Sequence, residues 1–309
     1  MKKIFNSIST LILLALFLGA CAAPAPQSTQ GGLNVLTSTT FLADIAHNVA
    51  GDRAAVESLL PVGADPHAYQ EAPTDVAKIA ESNVLILNGV EYEHFIEPLL
   101  ENAGGERLII ETTTGLTPHE MEEHGHEGEE HTEGDEHAHE AGDPHMWLDP
   151  NLVITYVENI RDGLSEADPE GAETYKANAD AYIAQLKDLD KWISEQVDTI
   201  PAERRLLVTN HEALGYFAER YGFEVVDTII PSLSSEASAS AQEVAASIDS
   251  IKASGAPAIF LGEVENADLA NQIASETGVK VVDSLYLETL TAGAPAATYI
   301  EMMKYNVTQ

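Results

Sequence analysis

From Leu33 onward, short apolar runs alternate with stretches in which apolar residues recur every three or four positions. The runs fall at Leu33–Leu36, Phe41–Val49, Val56–Leu60, Val76–Ala80, Val84–Leu87, Phe95–Leu100 and Arg107–Ile110. The rhythm resumes at Leu206–Val208, Leu214–Tyr221, Val225–Ile229, Val244–Ile251, Ile259–Leu261, Leu269–Ala274 and Val279–Val282. Strands alternating with helices in this way predict mostly parallel sheets covered by helices, with ligands at strand ends. Between the two series, Tyr175, Ala179, Tyr182, Leu186, Leu189, Ile193 and Val197 mark one long helix over Pro169–Thr199, with Asp168 as its expected cap and Pro201 beyond its end. The expectation is an α/β protein of two lobes, 33–167 and 201–309, each a mostly parallel sheet flanked by helices, joined by a backbone helix over 168–200. The lobes share a rhythm, but no residue-by-residue repeat relates them.

The start of the chain has a different pattern. Lys2 and Lys3 precede an almost wholly apolar run from Leu11 to Leu18, followed by Gly19-Ala20-Cys21, which reads as an export signal over 1–20. The alternative, a spanning anchor, is poorly served: an apolar helix from Leu11 to Ala23 would be about 20 Å long against roughly 30 Å of hydrocarbon. Leu18-Gly19-Ala20-Cys21 resembles the bacterial lipoprotein cleavage box, which implies that Cys21 becomes the lipid-bearing first residue of an exported, membrane-anchored protein. It is the sole cysteine, so no disulfide is expected. Residues 21–32, rich in Pro, Ser, Gly and Ala, read as a tether.

Charge narrows the partners. With 51 acidic against 15 basic residues, nucleic acid and anionic membrane surfaces are repelled, whereas cations are attracted. Acidity by itself also serves solubility, so the arrangement has to decide. From His119 to Glu140 there are six histidines, His119, His124, His126, His131, His137 and His139, among ten carboxylates, with no basic residue. Such a segment cannot pack; it reads as a loop that binds metal weakly or is simply solvated.

Four polar segments fall where strands should end: Asp65-Pro66-His67, Asp143-Pro144-His145-Met146-Trp147-Leu148-Asp149-Pro150, Asn210-His211-Glu212-Ala213-Leu214-Gly215-Tyr216-Phe217 and Val281-Val282-Asp283-Ser284-Leu285. Their spacing is far longer than that of local zinc motifs, and no His-Glu-x-x-His run occurs. Trp147, Tyr216 and Phe217 fit core packing better than walls of a site, and Glu263 fits either an orienting carboxylate or a solvated loop residue.

In combination, Asp65-Pro66-His67-Ala68-Tyr69, the Asp143–Pro150 octet and His211–Phe217 resemble the ligand segments of the solute-binding lipoproteins that deliver zinc or manganese to ABC importers, and the likeness extends over the mature chain from Leu33. The resemblance implies metal ligands at His67, His145 and His211, with Asp283 as the fourth. It also implies Zn2+ as the ion, since manganese-type members often carry an acidic residue where His211 stands; Mn2+ is the alternative. Three imidazoles and a carboxylate suit four-coordinate Zn2+. Protons compete for imidazole, so affinity should fall on acidification. The implied partners are the importer's membrane permease and, through the lipid, a bacterial membrane; the expected state is a monomer and not an enzyme. Rival readings are a zinc hydrolase with an open coordination position and a surface adhesin or metal buffer acting through the histidine loop.

Overall fold

The computed structural model describes residues 32–120 and 142–309. Cys21, the rest of the first 31 residues, and His124, His126, His131, His137 and His139 lie outside them.

The first half runs β1 (Leu33–Thr37), α1 (Thr40–Ala50), β2 (Ala54–Ser58), α2 (Pro73–Glu81), β3 (Val84–Leu87), α3 (Ile96–Ala103) and β4 (Leu108–Glu111). Two helices follow, α4 (Pro150–Ala167) and α5 (Ala172–Val197). The second half repeats the first with β5 (Leu206–Thr209), α6 (Gly215–Tyr221), β6 (Glu224–Thr228), α7 (Ala241–Ser254), β7 (Ala258–Gly262), α8 (Asp268–Thr277) and β8 (Lys280–Leu285), and α9 (Tyr299–Thr308) ends the chain. The sheets are four-stranded and wholly parallel, ordered β2-β1-β3-β4 and β6-β5-β7-β8. The α/β expectation therefore holds, and the shared rhythm of the halves is a shared topology.

Alternation along the strands sorts side chains to opposite faces. Val35, Ile86 and Leu207 face one continuous core with Trp147, Tyr156, Ile160, Tyr182 and Leu186. Leu36, Leu85 and Leu87 pack under α2 and α3, and Val208, Ile259 and Leu261 under α7 and α8. The core between the sheets is supplied largely by α4 and α5, which lie along each other, with α5 also against α1 and α9. All seven apolar positions that mark the long helix are buried. Its start differs from expectation. A short 3-10 turn over Pro169–Gly171 precedes α5, and the Asp168 carboxylate, instead of capping, pairs with Arg53 at 2.5 Å and accepts from the Tyr175 hydroxyl at 2.7 Å. Helix α4, adjoining the octet, begins with Asp149 accepting from the Asn151 amide at 2.8 Å and Pro150 in the first turn, a pairing suited to a helix start. Among the described residues no helix is long and apolar enough to cross a membrane.

Candidate metal centre

In both sheets the strands run the same way, and their C-terminal ends carry the loops in which polar residues gather. His67 lies in the loop after β2, His145 between β4 and α4, and His211 two residues beyond β5. The sequence Asp-Pro-His folds alike in two places: Asp65 Oδ1 accepts from the His67 amide and Asp143 Oδ1 from the His145 amide, each at 2.9 Å. The proline fixes φ, the aspartate closes the turn on the amide two residues on, and the histidine is left projecting.

These turns and the β5 loop bring His67, His145 and His211 together with Glu288, one potential donor atom from each lying within 4.8 Å of the others. The His145 and His211 Nε2 atoms are 3.3 Å apart. Glu288 Oε1 stands 3.6 Å from His211 Nε2, 3.7 Å from His145 Nε2 and 3.9 Å from His67 Nε2. Four donors held tetrahedrally at the usual zinc distances of about 2.0–2.1 Å stand about 3.3–3.4 Å apart. Four of the six separations, at 3.3–3.9 Å, approach that figure and all six lie within 4.8 Å, so the donors are gathered somewhat more widely than around a bound ion.

The donors are oriented as well as collected. The His145 Nδ1 bonds to Asp143 Oδ1 at 2.7 Å and the His211 Nδ1 to Glu265 Oε1, leaving each Nε2 facing the cluster. A carboxylate behind a ring fixes the tautomer and raises the basicity of the far nitrogen. Glu288 Oε2 accepts from the Tyr92 hydroxyl at 2.6 Å. His67 Nε2 and Glu288 Oε1 are buried without a hydrogen-bond partner, an arrangement that costs about 1–3 kcal/mol per group unless another ligand satisfies it. Burial, opposed in part by Glu288 and reinforced by the two neighbouring imidazoles, holds His67 down at about 3, which keeps its ring neutral and its lone pair available. Burial also acts to lower His211, but its bond to Glu265 and the nearby negative charge of Glu288 outweigh it and raise the ring to about 10. Burial opposes the charge on Glu288, yet the three imidazoles, His211 foremost, hold it at about 2. The carboxylates therefore favour a positive charge at this point.

Asp283 does not join them. It is exposed on the edge strand β8, which runs to Leu285 and not to Val282 as the apolar pattern suggested. Phe260 pairs with Val282 and Gly262 with Leu285, so Leu261 faces both Asp283 and Ser284 at a bulge. A residue inside the strand cannot reach the strand-end site; Glu288, three residues beyond, can. The one legible trace of Glu288 is a carboxylate enclosed in the apolar run Tyr286-Leu287-Glu288-Thr289-Leu290. Glu265 had no such signal, and it, not Glu263, backs His211; Glu263 accepts from the Leu287 amide at 3.3 Å. Trp147 and Tyr216 are buried in the core with Phe217 packed against it. His119 stacks on Tyr216 at 3.9 Å, pairs with Glu219 at 2.7 Å, and is not in the cluster.

Two sheets bridged by helices, with a buried histidine and carboxylate cluster between their strand ends, define a protein of the metal-capturing, solute-binding class. Residues 35–309 match the family described as zinc-uptake complex component A, periplasmic, and the chain belongs to that family, the metal-binding components of ABC metal uptake. It is 34% identical over 309 residues to the manganese-binding lipoprotein MntA of Halalkalibacterium halodurans, covering 99% of this chain and 97% of that protein. To the zinc-binding lipoprotein AdcA of Streptococcus pneumoniae it is 35% identical over 312 residues, covering 99% of this chain and 60% of the other. Among solved structures, the periplasmic zinc-binding protein TroA of Treponema pallidum superposes with a TM-score of 0.77 at 25% identity, over 90% of this chain and 97% of that one. A manganese-bound periplasmic metal-binding protein of Candidatus Liberibacter asiaticus gives 0.75 at 26% identity, over 89% and 97%.

Proposed function

We propose that this protein captures a divalent transition metal, Zn2+ in preference to Mn2+, through His67, His145, His211 and Glu288 outside the cytoplasmic membrane, and delivers it to an ABC importer. It does so as a monomer tethered by a lipid on Cys21. The observation that carries the reading is the convergence of four buried donors, two of them without any other partner, within 4.8 Å of one another. Three imidazoles, His211 releasing its proton as the metal binds, and one carboxylate favour borderline Zn2+ over the harder, oxygen-preferring Mn2+, and leave a bound divalent ion with a single net positive charge. The relatives named above include manganese and zinc binders alike, so the preference for zinc rests on the donor set. A hydrolase would need an open position for water, whereas Glu288 Oε1 occupies the fourth corner.

Metal analysis of the purified protein, followed by competition with a chelator, tests this directly. One equivalent of Zn2+ is expected, with Mn2+ displaced when both are offered, and His211→Ala should retain its fold while losing tight binding. Full retention of Zn2+ by that variant would remove the cluster from the function.

A further inference from the structure

Donor number separates the two ions: Zn2+ is satisfied by four ligands, while Mn2+ seeks a larger, oxygen-rich shell. A carboxylate supplies one donor or two, so the freedom of the Glu288 carboxylate bears on the choice. That freedom is restricted on every side. The Tyr92 hydroxyl donates to Oε2 at 2.6 Å, leaving only Oε1 directed at the three imidazoles. The backbone beside it is held too, with the Leu287 carbonyl accepting from Trp147 Nε1 at 2.9 Å and the Leu287 amide donating to Glu263 at 3.3 Å.

Tyr92 is itself fixed. It is 1% exposed, edge-on to His67 at 5.5 Å and against Trp147 at 4.9 Å. It sits on a turn in which Val90 and Glu91 adopt positive φ, 56° and 55°, a conformation costly for a β-branched residue and kept only where its surroundings impose it. Glu93 imposes it, accepting from the Asn88 amide at 2.6 Å, the Gly89 amide at 3.2 Å and the Ser38 hydroxyl at 2.7 Å.

We infer that Tyr92 is a specificity-determining positioning residue: by occupying Glu288 Oε2 it confines the carboxylate to one-oxygen binding, and so selects four-coordinate Zn2+ over Mn2+. The inference rests on the reading of the cluster as a metal site. Removing the hydroxyl frees the second oxygen and opens a five-donor shell.

The test compares Zn2+ and Mn2+ affinities of the wild type and Tyr92→Phe by calorimetry, with Co2+ absorption as a report of coordination number. Wild-type Co2+ protein should show the intense visible bands of a four-coordinate ion, and the variant the weaker bands of a five-coordinate one. The Zn2+ to Mn2+ affinity ratio should shift toward Mn2+ on the order of tenfold in the variant, the scale of losing a group that orients a ligand. Equal weakening for both ions would make Tyr92 a mere brace and overturn the inference. So would a five- or six-coordinate Co2+ spectrum in the wild type, a measurement that stands even if the variant fails to fold. Wild-type protein that takes up neither Zn2+ nor Mn2+ would instead overturn the metal-capture reading, and the inference with it.

Discussion

Glu288 supplies the only carboxylate of the four-residue cluster, and Asp283, five positions earlier, is exposed on an edge strand outside it. Their substitutions should therefore separate cleanly. Glu288→Gln should weaken Zn2+ binding by about 100-fold or more, beyond the range for residues that only orient a ligand. Asp283→Asn, a change on the exposed surface, should leave affinity within about twofold. Isothermal titration of both reads the difference, and equal losses would return Asp283 to the site. Glu93 makes a second prediction at this scale. Burial raises its carboxyl from 4.5 to about 6, against the opposing bonds from Ser38, Asn88 and Gly89. A carboxyl raised in the folded state favours folding while protonated, so its contribution is complete below pH 4.5 and lost as pH rises through about 6. The loss is on the order of 2 kcal/mol. Denaturation of the wild type relative to Glu93→Gln should show this decline across that window, and a flat difference would contradict the assignment. The three histidines were legible through the family resemblance of the segments that carry them; Glu265 and Tyr92 were not, because their roles arise only from contacts with residues 54 and 196 positions away in sequence.

The long helix α5 shows what an element inherits from its sequence. Apolar residues three and four apart give it one buried stripe whatever it packs against, and that stripe was readable before any neighbour was known. Leu186 lies fully buried in the stripe. Leu186→Ala should cost about 2–5 kcal/mol of stability, through lost transfer energy and the cavity left behind, while Zn2+ affinity holds, since no donor sits on α5. Urea denaturation and titration of the same variant check both halves of the statement. Element ends were less legible. Strand β8 continues three residues past its apolar run, because hydrogen bonding to β7 extends a strand regardless of side-chain polarity. That shift is what moved the fourth candidate ligand from Asp283 to Glu288.

Two sheets with the same strand order share one core, and donors arrive from both: His67 and His145 from the first half, His211 and Glu288 from the second. Direct bonds already link the halves, Tyr92 to Glu288, Trp147 to Leu287, and Ser235 to Asp65 at 2.8 Å. The continuous core predicts a single unfolding transition. A ligand bound only by the folded protein stabilises it by about 4.1 kcal/mol at a thousandfold excess over Kd. Zn2+ should therefore raise Tm in a concentration-dependent way that a chelator reverses, without splitting the transition. Calorimetry showing two transitions, with only one moved by Zn2+, would contradict the shared core.

The alternation of apolar runs determined the α/β class, the parallel sheets and the long helix, because local periodicity dictates which face of an element must be buried. The Asp-Pro-His turns are local, their constraints acting within three residues, but His67 and His145 were marked as candidate ligands by family resemblance and not by spacing. The tertiary structure alone decided that Glu288 meets those histidines, that Glu265 orients His211, and that Tyr92 holds one oxygen of the carboxylate. These are encounters between distant segments, fixed by strand register and by how the two halves share their core, and no local pattern encodes either.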